Sequence, residues 1–200
     1  MRFCLMLSWL GTSPNAAVRR YFRQHAPHKL SKGGGLPDDC GNLTYGETLP
    51  GTVYALLKGL GASEQTKIVD LGCGRGVVPL TAALAFGSKA IGLDIVPDYI
   101  SRGDRAVSLL GLKTKVSFQE ADFSWEELPA GDIYFLTAVC LDTPTWTALQ
   151  KNLLKWAPPK AKIISVSREL NQPGWELIQQ YIYPFTWDEA TVYIYRPIDD

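Results

Sequence analysis

The run Lys67-Ile68-Val69-Asp70-Leu71-Gly72-Cys73-Gly74-Arg75-Gly76 constrains this chain more than any other. Lys67–Leu71 reads as a short buried strand. Three glycines at alternate positions follow it, and the apolar stretch Val77–Phe86 then reads as a helix. Glycine at this spacing lets a ligand approach the backbone and permits positive φ. The pattern is GxGxG after an acid, whereas a pyrophosphate is seated at a helix N-terminus by the longer GxGxxG. Asp70, two residues before the first glycine, would oppose an anionic pyrophosphate. It suits a ligand carrying an ammonium and a sulfonium.

The rest of the chain sets this loop in an alternating pattern. Lys89–Ile95 reads as a second strand and Pro97–Leu110 as a helix. Val116–Ala121 and Asp132–Val139 read as further strands, Pro144–Trp156 as a helix, and Ala161–Val166 as a fifth strand. Such alternation predicts an α/β fold, a parallel sheet with helices on both faces. Tyr181–Trp187 and Ala190–Tyr195 are then separated only by Asp188 and Glu189. A connection that short predicts a C-terminal antiparallel hairpin, which departs from a standard dinucleotide-binding dehydrogenase.

Composition narrows the class. The chain has 200 residues, 46% of them hydrophobic, enough for a buried core and too apolar for intrinsic disorder. No apolar run approaches the roughly 18 residues of a membrane span. The formal charge is zero, but residues 1–37 hold six basic residues and no acid. They end in three consecutive glycines, Gly33–Gly35. Residues 1–37 are therefore expected to form a basic helical segment and hinge, with the main domain over residues 38–200. Phe3–Leu10 resembles a signal peptide only faintly and is expected to be an amphipathic helix docking on the domain. Arg19-Arg20-Tyr21-Phe22-Arg23 mixes charge with aromatics and leaves RNA or an acidic protein open as partners. Cys4, Cys40, Cys73 and Cys140 form no CxxC pair, and His25 and His28 have no local carboxylate or cysteine. No metal is expected, and the reducing cytoplasm is the expected compartment.

Asp70 and two further acids, Asp94 and Asp122, fall where open α/β sheets bind ligands, at the carboxyl ends of strands. Asp94, with Ile95 beside it, follows Gly76 by 18 residues and can accept hydrogen bonds from two ribose hydroxyls. Asp122 can accept the exocyclic amine of an adenine, and Phe123 can lie against its ring. Thr44-Tyr45-Gly46-Glu47-Thr48-Leu49-Pro50 leads into a helix over Gly51–Leu60. Its first amides, with the Thr48 hydroxyl, can hold a carboxylate. Tyr45 can close over the reacting group. Asp142 is a candidate base, although a cap for the helix that follows is the favoured reading.

In order, these pieces resemble the class I S-adenosylmethionine-dependent methyltransferases over roughly residues 44–196. The resemblance implies a Rossmann-like, mostly parallel sheet ending in an antiparallel hairpin, with S-adenosyl-L-methionine as cofactor. Tyr45-Gly46-Glu47-Thr48, Val69–Gly76 and Ala121-Asp122-Phe123 resemble, more narrowly, the disruptor-of-telomeric-silencing type of lysine methyltransferases, whose glycine motif reads VDLGSGVG. So does Trp187 followed by Ala190–Tyr195, and compact bacterial relatives carry an arginine in the place of Arg168. That resemblance implies cofactor contacts from Tyr45, Glu47, Thr48, Asp70, Gly72, Gly74, Asp94, Asp122 and Phe123, and a protein lysine as acceptor. Val77 stands where that family has glutamine. Thr137 stands where it has asparagine, beside the methyl group at the end of the fourth strand. Tyr45, Thr137 and Asp142 are the catalytic candidates. A small-molecule or RNA acceptor, a non-catalytic cofactor-binding partner and a nicotinamide oxidoreductase are the competing readings.

Overall fold

A computed structural model of the chain describes residues 47–137 and 139–198. The basic segment, its hinge, His25, His28 and Tyr45 lie outside the described residues. Within them the elements run α1 (Pro50–Gly59), β1 (Lys67–Leu71), α2 (Val77–Phe86), β2 (Lys89–Asp94), α3 (Pro97–Leu110) and β3 (Val116–Glu120). They continue with β4 (Ile133–Thr137), α4 (Thr143–Trp156), β5 (Lys162–Val166), β6 (Trp175–Pro184) and β7 (Glu189–Pro197). One seven-stranded sheet has the order β3-β2-β1-β4-β5-β7-β6. β1 to β5 pair in parallel, and β7 runs antiparallel to both β5 and β6. This is the parallel sheet that the alternation predicts, ending in the antiparallel hairpin that the short connection predicts, in the Rossmann-like form that the resemblance implies.

Two apolar clusters pack on opposite faces. One joins Val53 and Leu57 of α1, Val78 and Leu80 of α2 and Ala106 of α3 to Ile68, Phe135 and Ile164 of the sheet. The other joins Trp146, Leu149 and Leu153 of α4 to Val69, Leu71, Tyr134 and Ile163. The central strands are thus apolar on both faces, the condition for a continuous hydrophobic run rather than an alternating one. Asp70 in β1 interrupts that run.

The hairpin differs from the expectation in extent. β6 begins at Trp175, well before Tyr181, and is mostly exposed. Its polar residues Glu176, Gln179 and Gln180, and a register shift between Leu177 and Gln179, hide the period-2 pattern from a sequence reading. The turn is also longer than two residues. Phe185 is buried in the first cluster and stacks on Trp187 with ring centroids 4.7 Å apart. Packing those two rings takes Phe185 to Asp188 out of the ladder, and the Phe185 amide donates to the Asp188 carbonyl at 2.8 Å.

Candidate active site

The strand order reverses between β1 and β4, with β2 on one side and β5 on the other. Crevices in open α/β sheets lie outside the carboxyl ends of strands at such a reversal. A cleft of about 340 Å³, open to solvent, is found there, lined by Glu47, Thr48, Asp70, Gly72, Cys73, Gly74, Val77, Val78 and Thr137.

The glycine turn builds the cleft floor. Gly72 is exposed with φ +81°, a left-handed conformation that L side chains rarely adopt. The amides of Gly72 and Cys73 both donate to the Leu93 carbonyl at 2.9 Å, which pins the turn to β2. Asp94, at the end of β2, locks the turn further. One of its carboxylate oxygens accepts from the Gly74 amide at 2.9 Å and the other from the Val96 amide at 3.0 Å. The Ile95 amide bears on the same carboxylate, so three backbone donors converge on it. Burial raises the Asp94 pKa, and those amide bonds work against the rise.

Asp70 is in a different condition. It is buried and accepts no side-chain hydrogen bond from the described residues. Desolvation, and then the neighbouring Asp94 charge, push its pKa well above the ordinary carboxylate range. A buried carboxylate on a cleft wall with no cation beside it is complementary to a positively charged ligand.

The opposite wall comes from the segment before α1. Thr48 is buried, and its hydroxyl lies 3.4 Å from that of Thr137 at the end of β4. Glu47 lines the cleft, but its carboxylate is engaged. Both oxygens meet Nη2 of Arg75 at 2.6 Å, and one also meets Nε at 3.0 Å. The Glu47 backbone is held on the β6–β7 turn. Its amide donates to the Thr186 hydroxyl at 2.9 Å, and its carbonyl accepts from the Thr186 amide at 3.2 Å.

The structure brings Glu47, Thr48, Asp70, Gly72, Gly74 and Thr137 to one cleft, with Asp94 behind it. Phe123 lies over the same turn, its ring 3.7 Å from where a Cβ on Gly72 would stand. Asp122 uses one carboxylate oxygen within its own turn, accepting from the Ser124 amide at 3.0 Å and the Ser124 hydroxyl at 2.6 Å. Ile95 is 54% exposed just past β2.

Asp142 is the N-cap of α4, the favoured expectation, and is not among the residues lining the cleft. It accepts from the Thr145 amide at 2.8 Å, and its hydrogen bonds with Thr145 are the leading cause of a lowered pKa. Arg168, after β5, donates to the Leu141 carbonyl at 2.7 Å and lies over the Trp146 ring. It therefore braces the loop before α4. Arg75 and Thr186 were not singled out from the sequence. The charge of Arg75 inside a glycine turn was the available signal, while nothing local marks Thr186. Among the described residues no group of three His, Cys, Asp or Glu side chains could hold a metal. No described helix is long and apolar enough to cross a membrane.

Comparison with known proteins agrees with this geometry. A family model described as "Methyltransferase domain" matches residues 62–190. A rice (Oryza sativa subsp. japonica) protein described as "Probable tocopherol O-methyltransferase, chloroplastic" is 30% identical over 102 residues, covering 50% of this chain and 28% of that protein. The O-methyltransferase FrzF of Cladobotryum sp is 28% identical over 109 residues, covering 54% of this chain and 26% of that one. This chain thus matches about a quarter of the length of these relatives. An RNA methyltransferase from Salinibacter ruber, solved in complex with S-adenosyl-L-homocysteine, superposes with a TM-score of 0.59 at 21% identity, over 74% of this chain and 92% of that one. The chain belongs to the methyltransferase-domain family.

Proposed function

We propose that this domain transfers the methyl group of S-adenosyl-L-methionine to a small-molecule acceptor. The observation that carries the reading is the cleft at the β1–β4 reversal, where Asp70 is buried without a hydrogen-bond partner among the described residues. Bound there, the cofactor supplies a methyl group activated on a sulfonium. The residues of this chain bind and orient. Asp70 offers its carboxylate to the cationic end of the cofactor, and Asp94 accepts from the ribose. Phe123 lies against the adenine, which Asp122 meets through its second carboxylate oxygen. Thr48, just before α1, offers its hydroxyl to the carboxylate end, and Thr137 borders the path of the methyl group. Methyl transfer is an in-line displacement, for which alignment of the reactants is the main contribution of an enzyme.

The small-molecule acceptor is supported by the two curated relatives, both named as O-methyltransferases. An RNA acceptor is the second reading, favoured by the six basic residues and no acid of residues 1–37. The lysine acceptor implied by the narrower resemblance has no support among these relatives, and Glu47 of its signature string is bound to Arg75. The test is incubation of the full chain with tritiated-methyl S-adenosyl-L-methionine and a cell lysate, with Asp94→Ala as the blank. Label is expected in the small-molecule fraction. Label in RNA or in a protein band would replace the acceptor. No label, with cofactor binding intact, would make the domain a non-catalytic partner.

A further inference from the structure

Arg75 sits between Gly74 and Gly76, and only 4% of its side chain is exposed. A buried guanidinium in a turn that otherwise needs small residues calls for a reason. Nε and Nη2 of its guanidinium both meet Glu47. The Glu47 backbone is meanwhile tied on both sides to Thr186. Glu47, three residues before Pro50, is therefore gripped by the glycine turn through its side chain and by the β6–β7 turn through its backbone. A second tie holds α1 itself, where the Thr52 hydroxyl donates to the Pro184 carbonyl at 2.6 Å. The residue following Glu47 is Thr48, whose buried hydroxyl faces Thr137 across the cleft.

We propose that Arg75 is a positioning residue that acts through Glu47, seating the segment Glu47–Leu49 as a strap across the cleft so that Thr48 meets the cofactor. The inference rests on the cofactor-binding reading above. Without the pair, the strap loses the tie between its Glu47 side chain and the glycine turn and keeps the backbone tie to Thr186. Apparent cofactor affinity then falls by the fraction of molecules in which the strap remains seated. A strap seated in about one molecule in ten lowers affinity roughly tenfold. Lysine keeps the charge of Arg75 but not its fork, so it preserves the pair in part.

The test is calorimetric titration of the full chain with S-adenosyl-L-homocysteine. Arg75→Met and Glu47→Gln are each expected to raise Kd about tenfold. The double variant is expected to be no worse than the weaker-binding single one, because both changes break one interaction. Arg75→Lys should recover part of the loss, which a filler role for Arg75 would not predict. Additive losses would overturn the proposal, since Glu47 would then touch the ligand independently of Arg75. Unchanged Kd in both single variants, with Asp94→Ala non-binding, would also overturn it and leave the cofactor reading standing. A wild-type chain that does not bind would remove both. Thermal melts check folding, and if Arg75→Met does not fold, Glu47→Gln against Arg75→Lys carries the comparison.

Discussion

Gly72 and Gly76 lie at the two ends of one turn and share a left-handed backbone, with φ of +81° and +80°. Their surroundings are opposite. Gly72 is exposed at the cleft, and a Cβ there would meet only the Phe123 ring, at an ordinary 3.7 Å. Gly76 is buried, and a Cβ there would stand 2.4 Å from the Phe118 ring of β3. The same ring lies within 2.7 Å of a Cβ on Gly92 in β2 and 2.6 Å of one on Gly103 in α3. Three glycines from three segments thus make a slot for one phenylalanine. The front of the turn faces a ligand, while its back fits two elements together around Phe118.

Breaking the back of the turn should have the largest effect. Gly76→Ala combines a left-handed φ with a contact that something must move to relieve, at a cost of roughly 3 kcal/mol. The expected fall in Tm is about 10 °C, measured by circular dichroism. A variant that melts within a degree or two of wild type would show that Phe118 has room to move, and the contrast between the two glycines would be lost.

Gly72→Ala should separate stability from binding. It carries the backbone strain without the collision, so about 1–2 kcal/mol of stability is lost. The added methyl points into the cleft side of the turn, and binding of S-adenosyl-L-methionine should fall by more than that strain alone explains. Equal binding to wild type and variant by calorimetry would mean that the cofactor does not approach this backbone.

Asp70→Asn gives the smallest and most diagnostic change. Burial, and then the Asp94 charge, raise the Asp70 pKa, so between the ordinary Asp range and the raised value the folded protein binds more protons than the unfolded chain. Stability from this group is full below the ordinary Asp range and is lost as pH rises through the raised value. Removing the charge should make the unliganded protein more stable at neutral pH by about 1 kcal/mol, or about 2–4 °C in Tm. The same substitution should weaken binding of the cationic cofactor. Melts between acid and neutral pH should show a flatter profile for the variant. A lower Tm at neutral pH would mean that Asp70 is paired in the folded protein.

Most of the fold was legible because strand and helix periods and the glycine turn are local signals. The elements from α1 through β5 fall close to their expected positions, differing by a residue or two at their ends. β6 was half missed because an exposed edge strand has no buried face to impose alternation. The cleft was legible to the extent that its acids end strands. Asp70, Asp94 and Thr137 could be placed by counting from the glycines. Arg75 could not, because its role depends on Glu47, 28 positions earlier in the chain. Nor could Gly76 be told from Gly72, since the slot for Phe118 exists only once three elements are packed.

Backbone preference and hydrophobic period, acting over a few residues, dictate the parallel sheet, the glycine turn between β1 and α2, and the acids at strand ends. Packing sets which glycine lines the cleft and which meets a ring, and it brings Glu47 to Arg75 while leaving Asp70 without a partner among the described residues. Contacts between distant segments depend on where the packed sheet brings their side chains, and desolvation acts on a carboxylate only once that packing has closed around it.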